Sequence, residues 1–146
     1  MRFRVIIPAR YASVRLPGKP LAALNGRPLV LHVCDRARES GAQQIIVATD
    51  DARVQAACAG AGVEVQMTRS QHASGTDRIA EVVRRLELPD DDVIVNLQGD
   101  EPMMPAADIE QVAALLNSHQ NAQIATLCTA INDIDEFLNP NVVKVT

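Results

Sequence analysis

Residues 3–20 read FRVIIPARYASVRLPGKP. The opening FRVII is apolar apart from Arg4, as suits a strand covered on both faces of a parallel sheet. The loop that follows, residues 7–20, holds Arg10, Arg15 and Lys19, three prolines, one glycine and no acidic residue. In open α/β sheets ligands bind beyond the carboxyl ends of the strands, so a stiff cationic loop after the first strand is the natural place for an anion. Within it, Leu16-Pro17-Gly18-Lys19 sets Pro and Gly where a type II turn wants them, and Pro20 biases Lys19 toward an extended backbone.

Outward from this stretch the chain alternates strand-like and helical patterns. Asn25-Gly26 reads as a turn, and Pro28 suits a first helical position. The next segment then places Leu29, Val30, Val33, Cys34 and Ala37 on one helical face. QIIVA (44–48) reads as a strand, with Asp50 or Asp51 to cap a helix over 52–60. VEVQM follows as a short strand, and residues 68–75 as a polar loop. A helix over 76–87 turns Ile79, Val82, Val83 and Leu86 inward. VIVNL (93–97) is a strand and 106–118 a helix, and QIATLCTAI (123–131) reads as a further strand. This alternation predicts an α/β fold with a doubly wound, mostly parallel sheet. The closing NVVKVT reads as one more strand with nothing after it, the pattern of a truncated domain.

Composition narrows the function classes. The 146 residues include two Phe, one Tyr and no Trp, so the core is aliphatic and a base-stacking nucleic-acid surface is disfavoured. Net charge is −4, yet residues 1–38 carry +7 and residues 39–146 carry −11. Such a split points to a local anion site. Cys34, Cys58 and Cys128 read as small buried hydrophobes in a reducing compartment, and the three histidines are too scattered for a zinc site. With a strand pattern at the N-terminus, no signal peptide and no apolar run of membrane-spanning length, the expectation is a cytoplasmic protein without membrane or nucleic-acid partners.

Two further segments carry candidate chemistry. Gln98-Gly99-Asp100-Glu101-Pro102 leaves the strand VIVNL at its carboxyl end. Asp100 there suits Mg²⁺, which takes hard oxygens and often only one or two carboxylates beside substrate phosphates. The acids would equally favour the helix that begins near residue 106. Ser74-Gly75-Thr76-Asp77 precedes an amphipathic helix, where Ser74 or Thr76 would cap, and the same helix start would attract a polar ligand. The cationic loop matches neither the Walker A pattern nor GxGxxG. On charge alone it could be a solvated turn.

Together, IIPARYASVRLPGKPL, HASGTDR and NLQGDEP resemble the 3-deoxy-manno-octulosonate (Kdo) cytidylyltransferase family, from about residue 3 to the end. The resemblance implies a Rossmann-like nucleotidyltransferase fold, transfer of CMP from CTP to Kdo with release of pyrophosphate for lipopolysaccharide synthesis, Mg²⁺ as cofactor, and a homodimer. It implies Arg10 and Lys19 on the phosphates and Asp100 on the metal, these three forming the catalytic set. Pro8, Ala9, Ser13, Arg15, Arg69, Gln71, Ser74, Gly75, Arg78 and Gln98 would contact substrates. Members are considerably longer. Residues 1–146 therefore correspond to the CTP-binding part, with the sugar-binding and dimerisation part absent. Two alternatives stand beside this reading: an inactive nucleotide-binding fragment, and an enzyme for a related sugar acid such as 8-amino-Kdo.

Overall fold

The computed structural model describes residues 2–12, 17–119 and 121–145. Its centre is a four-stranded parallel sheet of β1 (Phe3–Pro8), β4 (Gln44–Thr49), β5 (Glu64–Met67) and β6 (Val93–Asn96). Their order is β5-β4-β1-β6. Val5, Ile6 and Ile7 are all inaccessible to solvent, so β1 is buried on both faces, as its unbroken apolar run requires.

The helices divide between those faces. Helices α1 (Leu29–Glu39), α2 (Ala52–Gly60) and α4 (Ala106–Ser118) pack on Val5, Ile7, Val47, Val95 and Leu97 through residues such as Val33, Cys34, Val54, Cys58 and Ile109. Helix α3 (Gly75–Arg85) covers Ile6, Ile46 and Ala48 on the other side through Ile79 and Val82, with Val83 and Leu86 beside them. The doubly wound expectation therefore holds. With β1 between β4 and β6, the topological switch point lies between β1 and β6. The loops that leave these two strands flank one crevice.

Several local expectations change. Asn25 and Gly26 do form the turn, with φ of 50° and 77°, but they close a small hairpin of β2 (Ala23–Leu24) and β3 (Arg27–Pro28). Pro28 consequently precedes α1 and does not open it. Lys19 is not extended: Lys19–Leu21 form a 3₁₀ turn in which Leu21 N bonds to Gly18 O at 2.8 Å. Pro20 is harmless there because a first-turn residue has no N–H partner to lose.

Among the described residues, neither 123–131 nor 141–145 is a strand. A groove of ≈ 560 Å³ lies between Val93–Gln98 and Gln123–Leu127, so the second segment runs beside β6 without pairing with it. Its apolar side chains consequently have no sheet face to join. Ile124 is 84 % exposed, and Cys128 is exposed where burial was expected. A short α5 (Ile134–Leu138) follows, with Ile134, Phe137 and Leu138 open to solvent.

Cys34 and Cys58 are buried as expected, and burial pushes their thiols up to about 12 and about 11. A water-soluble thiol reagent near pH 8 should therefore label Cys128 rapidly and reach the other two only on unfolding. Rapid labelling of Cys34 or Cys58 in the native protein would contradict this packing.

Candidate active site

The cationic loop is closed at its base by the backbone. Gly18 N donates to Tyr11 O at 2.9 Å, and Gly18 has φ 73° and ψ 12°, the left-handed conformation that glycine adopts without strain. An added Cβ at Gly18 would also meet the Tyr11 ring at 3.0–3.2 Å. The Arg53 guanidinium lies 3.5 Å from the centroid of the same ring. Arg53 is in turn held by Asp51, which caps α2 by accepting from Arg53 N at 2.9 Å. Its side-chain hydrogen bond from Arg53 pulls the Asp51 carboxyl down to about 2. Ser13 and Arg15 lie outside the described residues.

Lys19 leaves this loop and meets the acidic one. Its Nζ donates to Asp100 Oδ2 at 2.6 Å, joining residues 81 positions apart. The side chains are 35 % and 42 % exposed. An ion pair this open to water contributes about 0–1 kcal/mol to stability, too little to explain why both loops converge. Arg10 is exposed and follows Ala9, which is buried and anchored twice: Ala9 N donates to Ala48 O at 2.8 Å, and Thr49 Oγ1 donates to Ala9 O at 2.6 Å.

The floor of the crevice is a close approach of three segments. A Cβ on Gly99 would lie 2.8 Å from Pro8 O and 3.5 Å from Ala9 Cβ, so only glycine lets the β6 loop close on the β1 loop. A Cβ on Gly75 would sit 3.1 Å from Pro8 Cγ and 3.8 Å from Gln98 Oε1, which brings the start of α3 to the same place. Gln98 also donates to Asn96 Oδ1 at 3.1 Å. Ser74 and Asp77 form a reciprocal capping box, with Asp77 N to Ser74 Oγ at 3.1 Å and Ser74 N to Asp77 Oδ2 at 3.1 Å. Thus Pro8, Ala9, Ser74, Gly75, Gln98, Lys19 and Asp100 gather at one sheet edge.

The other candidates are placed differently. Arg69 and Gln71 are exposed on the approach to α3. The Arg78 side chain is turned inward, 3 % exposed, and its Nη2 donates to Asp50 Oδ2 at 3.0 Å. Asp50 therefore does not cap α2; Asp51 does. Sequence reasoning missed Asp50, Glu81 and His72 as partners in this region. The available signal was that positions 78 and 81 are charged next to the inward positions 79 and 82.

For a divalent metal, the described residues offer no cluster of three or more His, Cys, Asp or Glu. Asp100 alone fits a site completed by phosphate oxygens, and its carboxylate already receives a cation, the Lys19 ammonium. No helix among the described residues is long and apolar enough to cross a membrane.

The cytidylyltransferase family model matches residues 4–146. The chain is 59 % identical to the 3-deoxy-manno-octulosonate cytidylyltransferase of Marinobacter nauticus over 145 residues, 99 % of this chain and 56 % of that protein. It thus spans little more than half the length of such relatives. A structure of CMP:2-keto-3-deoxy-manno-octonic acid synthetase complexed with CTP superposes with a TM-score of 0.76 at 42 % identity, covering 82 % of this chain and 49 % of that one. A cytidylyltransferase from Leptospira borgpetersenii shares the fold at 21 % identity and a TM-score of 0.69, over 82 % of this chain and 50 % of that one. The matched length, the shared sheet and the convergence of all three motifs at its edge agree: the chain belongs to the cytidylyltransferase family.

Proposed function

We propose that this chain supplies the nucleotide-binding half of an enzyme that transfers CMP from CTP to the anomeric hydroxyl of Kdo. The sugar hydroxyl would release its proton to solvent as its oxygen bonds to the α-phosphorus, the bond from that phosphorus to the α–β bridging oxygen would break, and pyrophosphate would leave. The observation that carries this reading is the 2.6 Å contact between Lys19 and Asp100 across the switch point. It puts a cation and a carboxylate on opposite walls of one crevice. The similarity to a synthetase solved with CTP supports the choice of nucleotide.

Each residue then has a task in electrostatic positioning, the main contribution a protein makes to phosphoryl-type transfer. Lys19 would exchange Asp100 for phosphate oxygens and offset charge growing on the pyrophosphate. Arg10, forked and exposed beside Ala9, would hold the same tail bidentately, with Arg15 assisting. Pro8, with Ala9 fixed behind it by its two main-chain hydrogen bonds, would floor the nucleoside site; Ser13, Ser74, Gly75, Arg69 and Gln71 would meet the nucleoside, and Gln98 the sugar acid. Asp100 would hold Mg²⁺, which when bound supplies charge neutralisation on the phosphates and a Lewis acid near the attacking hydroxyl.

Pyrophosphate release from CTP, Mg²⁺ and Kdo tests the reaction, and calorimetric titration with CTP tests the half-site. Turnover would support the transfer reading. CTP binding without turnover would favour the nucleotide-binding fragment. Absence of CTP binding would contradict both.

Lys19→Ala should weaken CTP binding about 10- to 100-fold, the worth of one hydrogen bond to a charged group, with thermal stability nearly unchanged. Unaltered affinity would remove Lys19 from the phosphate site. Asp100→Asn should leave metal-free CTP binding as strong as before or stronger, because a carboxylate facing phosphate is lost, while abolishing the gain on adding Mg²⁺. A preserved Mg²⁺ gain would exclude Asp100 as its ligand. Gly99→Ala should push the two loops apart, lowering CTP affinity at least about tenfold in a folded protein, since sub-ångström misplacement of positioning groups is expensive. Normal affinity would mean that the contact with Pro8 is incidental.

A further inference from the structure

The inner face of α3 carries a buried polar cluster that the proposed chemistry does not use directly. Arg78 and Glu81 are 3 % and 4 % exposed, one helical turn apart, beside the apolar Ile79 and Val82. Both direct hydrogen bonds to the stretch 68–72. Arg78 donates to Thr68 Oγ1 and, at 3.3 Å, to Arg69 O, while its other nitrogen holds Asp50 at 3.0 Å. Glu81 accepts from Arg69 N at 3.2 Å and from His72 Nε2, and its other oxygen faces the Arg85 guanidinium. Thr68 is tied back to the sheet, its N donating to Thr49 O at 2.8 Å and its Oγ1 to the same oxygen at 3.2 Å.

Buried ion pairs are poor devices for stability, because desolvating two charges consumes most of what their attraction returns. An apolar pair would hold α3 to the sheet as well. What the charges add is direction: hydrogen bonds fix the main chain at residue 69 and the side chains at 68 and 72. Two residues further on comes Ser74, and next to it Gly75, which packs beside Pro8 and Gln98. Asp50, leaving β4 at the same sheet edge, anchors the cluster from the neighbouring strand.

We propose that Asp50, Arg78, Glu81 and His72 are positioning residues that hold segment 68–74 so that Ser74 and Gly75 meet the nucleotide in fixed geometry. This rests on the nucleotide-site reading above and assigns Arg78 to act through the segment, with its guanidinium already occupied. In the absence of the network the segment would be an ordinary polar loop, free to withdraw α3's first residues from Pro8.

Amide hydrogen exchange on the 146-residue chain, paired with CTP titration, tests this. In Asp50→Asn, Arg78→Met and the double variant, exchange across 68–74 should accelerate at least about tenfold, with β1 and β4 as protected as before. CTP affinity should fall about tenfold in each. The double variant should be little worse than either single one, because the pair acts as a unit. Arg78→Lys, which restores the charge alone, should recover affinity only in part. Should Arg78→Met fail to fold, Thr68→Val and Glu81→Gln each remove one tie and should give the same pattern at smaller amplitude. Unchanged exchange, or a loosened segment with undiminished affinity, overturns the proposal. If the unaltered chain binds no CTP, the nucleotide reading fails by itself, and exchange still decides whether these four residues hold the segment.

Discussion

The strand order is the constraint on which everything else depends. Placing β1 between β4 and β6 reverses the strand order at β1, so the loops leaving β1 and β6 flank one crevice at the carboxyl edge of the sheet. Lys19 and Asp100 meet across that crevice although 81 residues separate them in sequence. Neither loop creates the site alone. The first brings cations stiffened by proline, the second a carboxylate just beyond β6, and parallel pairing of β1 with β6 sets the distance between them.

Close backbone approach does the next part of the work. Gly99 lets the second loop rest on Pro8 O, and Gly75 lets the start of α3 rest on the Pro8 ring, so three segments share one floor. Their rigidity has different sources. Thr49 and Ala48 bind the main chain of Ala9. Tyr11, Gly18 and Arg53 close the cationic loop. The capping box and the Arg78–Glu81 cluster hold the third segment. Exposed charges are thus mounted on hydrogen-bonded supports, the arrangement electrostatic stabilisation favours, since donors fixed beforehand need no reorganisation when charge moves.

Much of this was legible in the sequence because the dominant signals are local. Apolar runs at 3–7, 44–48 and 93–97, each with a single polar residue, mark the strands, and the 3.6-residue periods mark α1 and α3. The glycine and the carboxylate of the β6 loop were readable from their position at a strand exit, while their family roles came from resemblance. What escaped the sequence depends on contacts distant along the chain. The inward turn of Arg78 depends on Asp50, 28 residues away, and a period of charge and apolar residues cannot show which charges find buried partners. The β2–β3 hairpin is too short to leave a period. The run 123–131 has strand composition but pairs with no strand among the described residues, and β-propensity expresses itself only against a neighbour. For the same reason Cys128, read as buried from its apolar flanks, stands exposed.

A structure of the chain with CTP and Mg²⁺ examines the central claim most directly. The triphosphate should lie between the loops after β1 and β6, with Lys19 Nζ released from Asp100 onto phosphate oxygens and Asp100 facing the metal. A triphosphate bound elsewhere, with the contact between Lys19 and Asp100 intact, would contradict it.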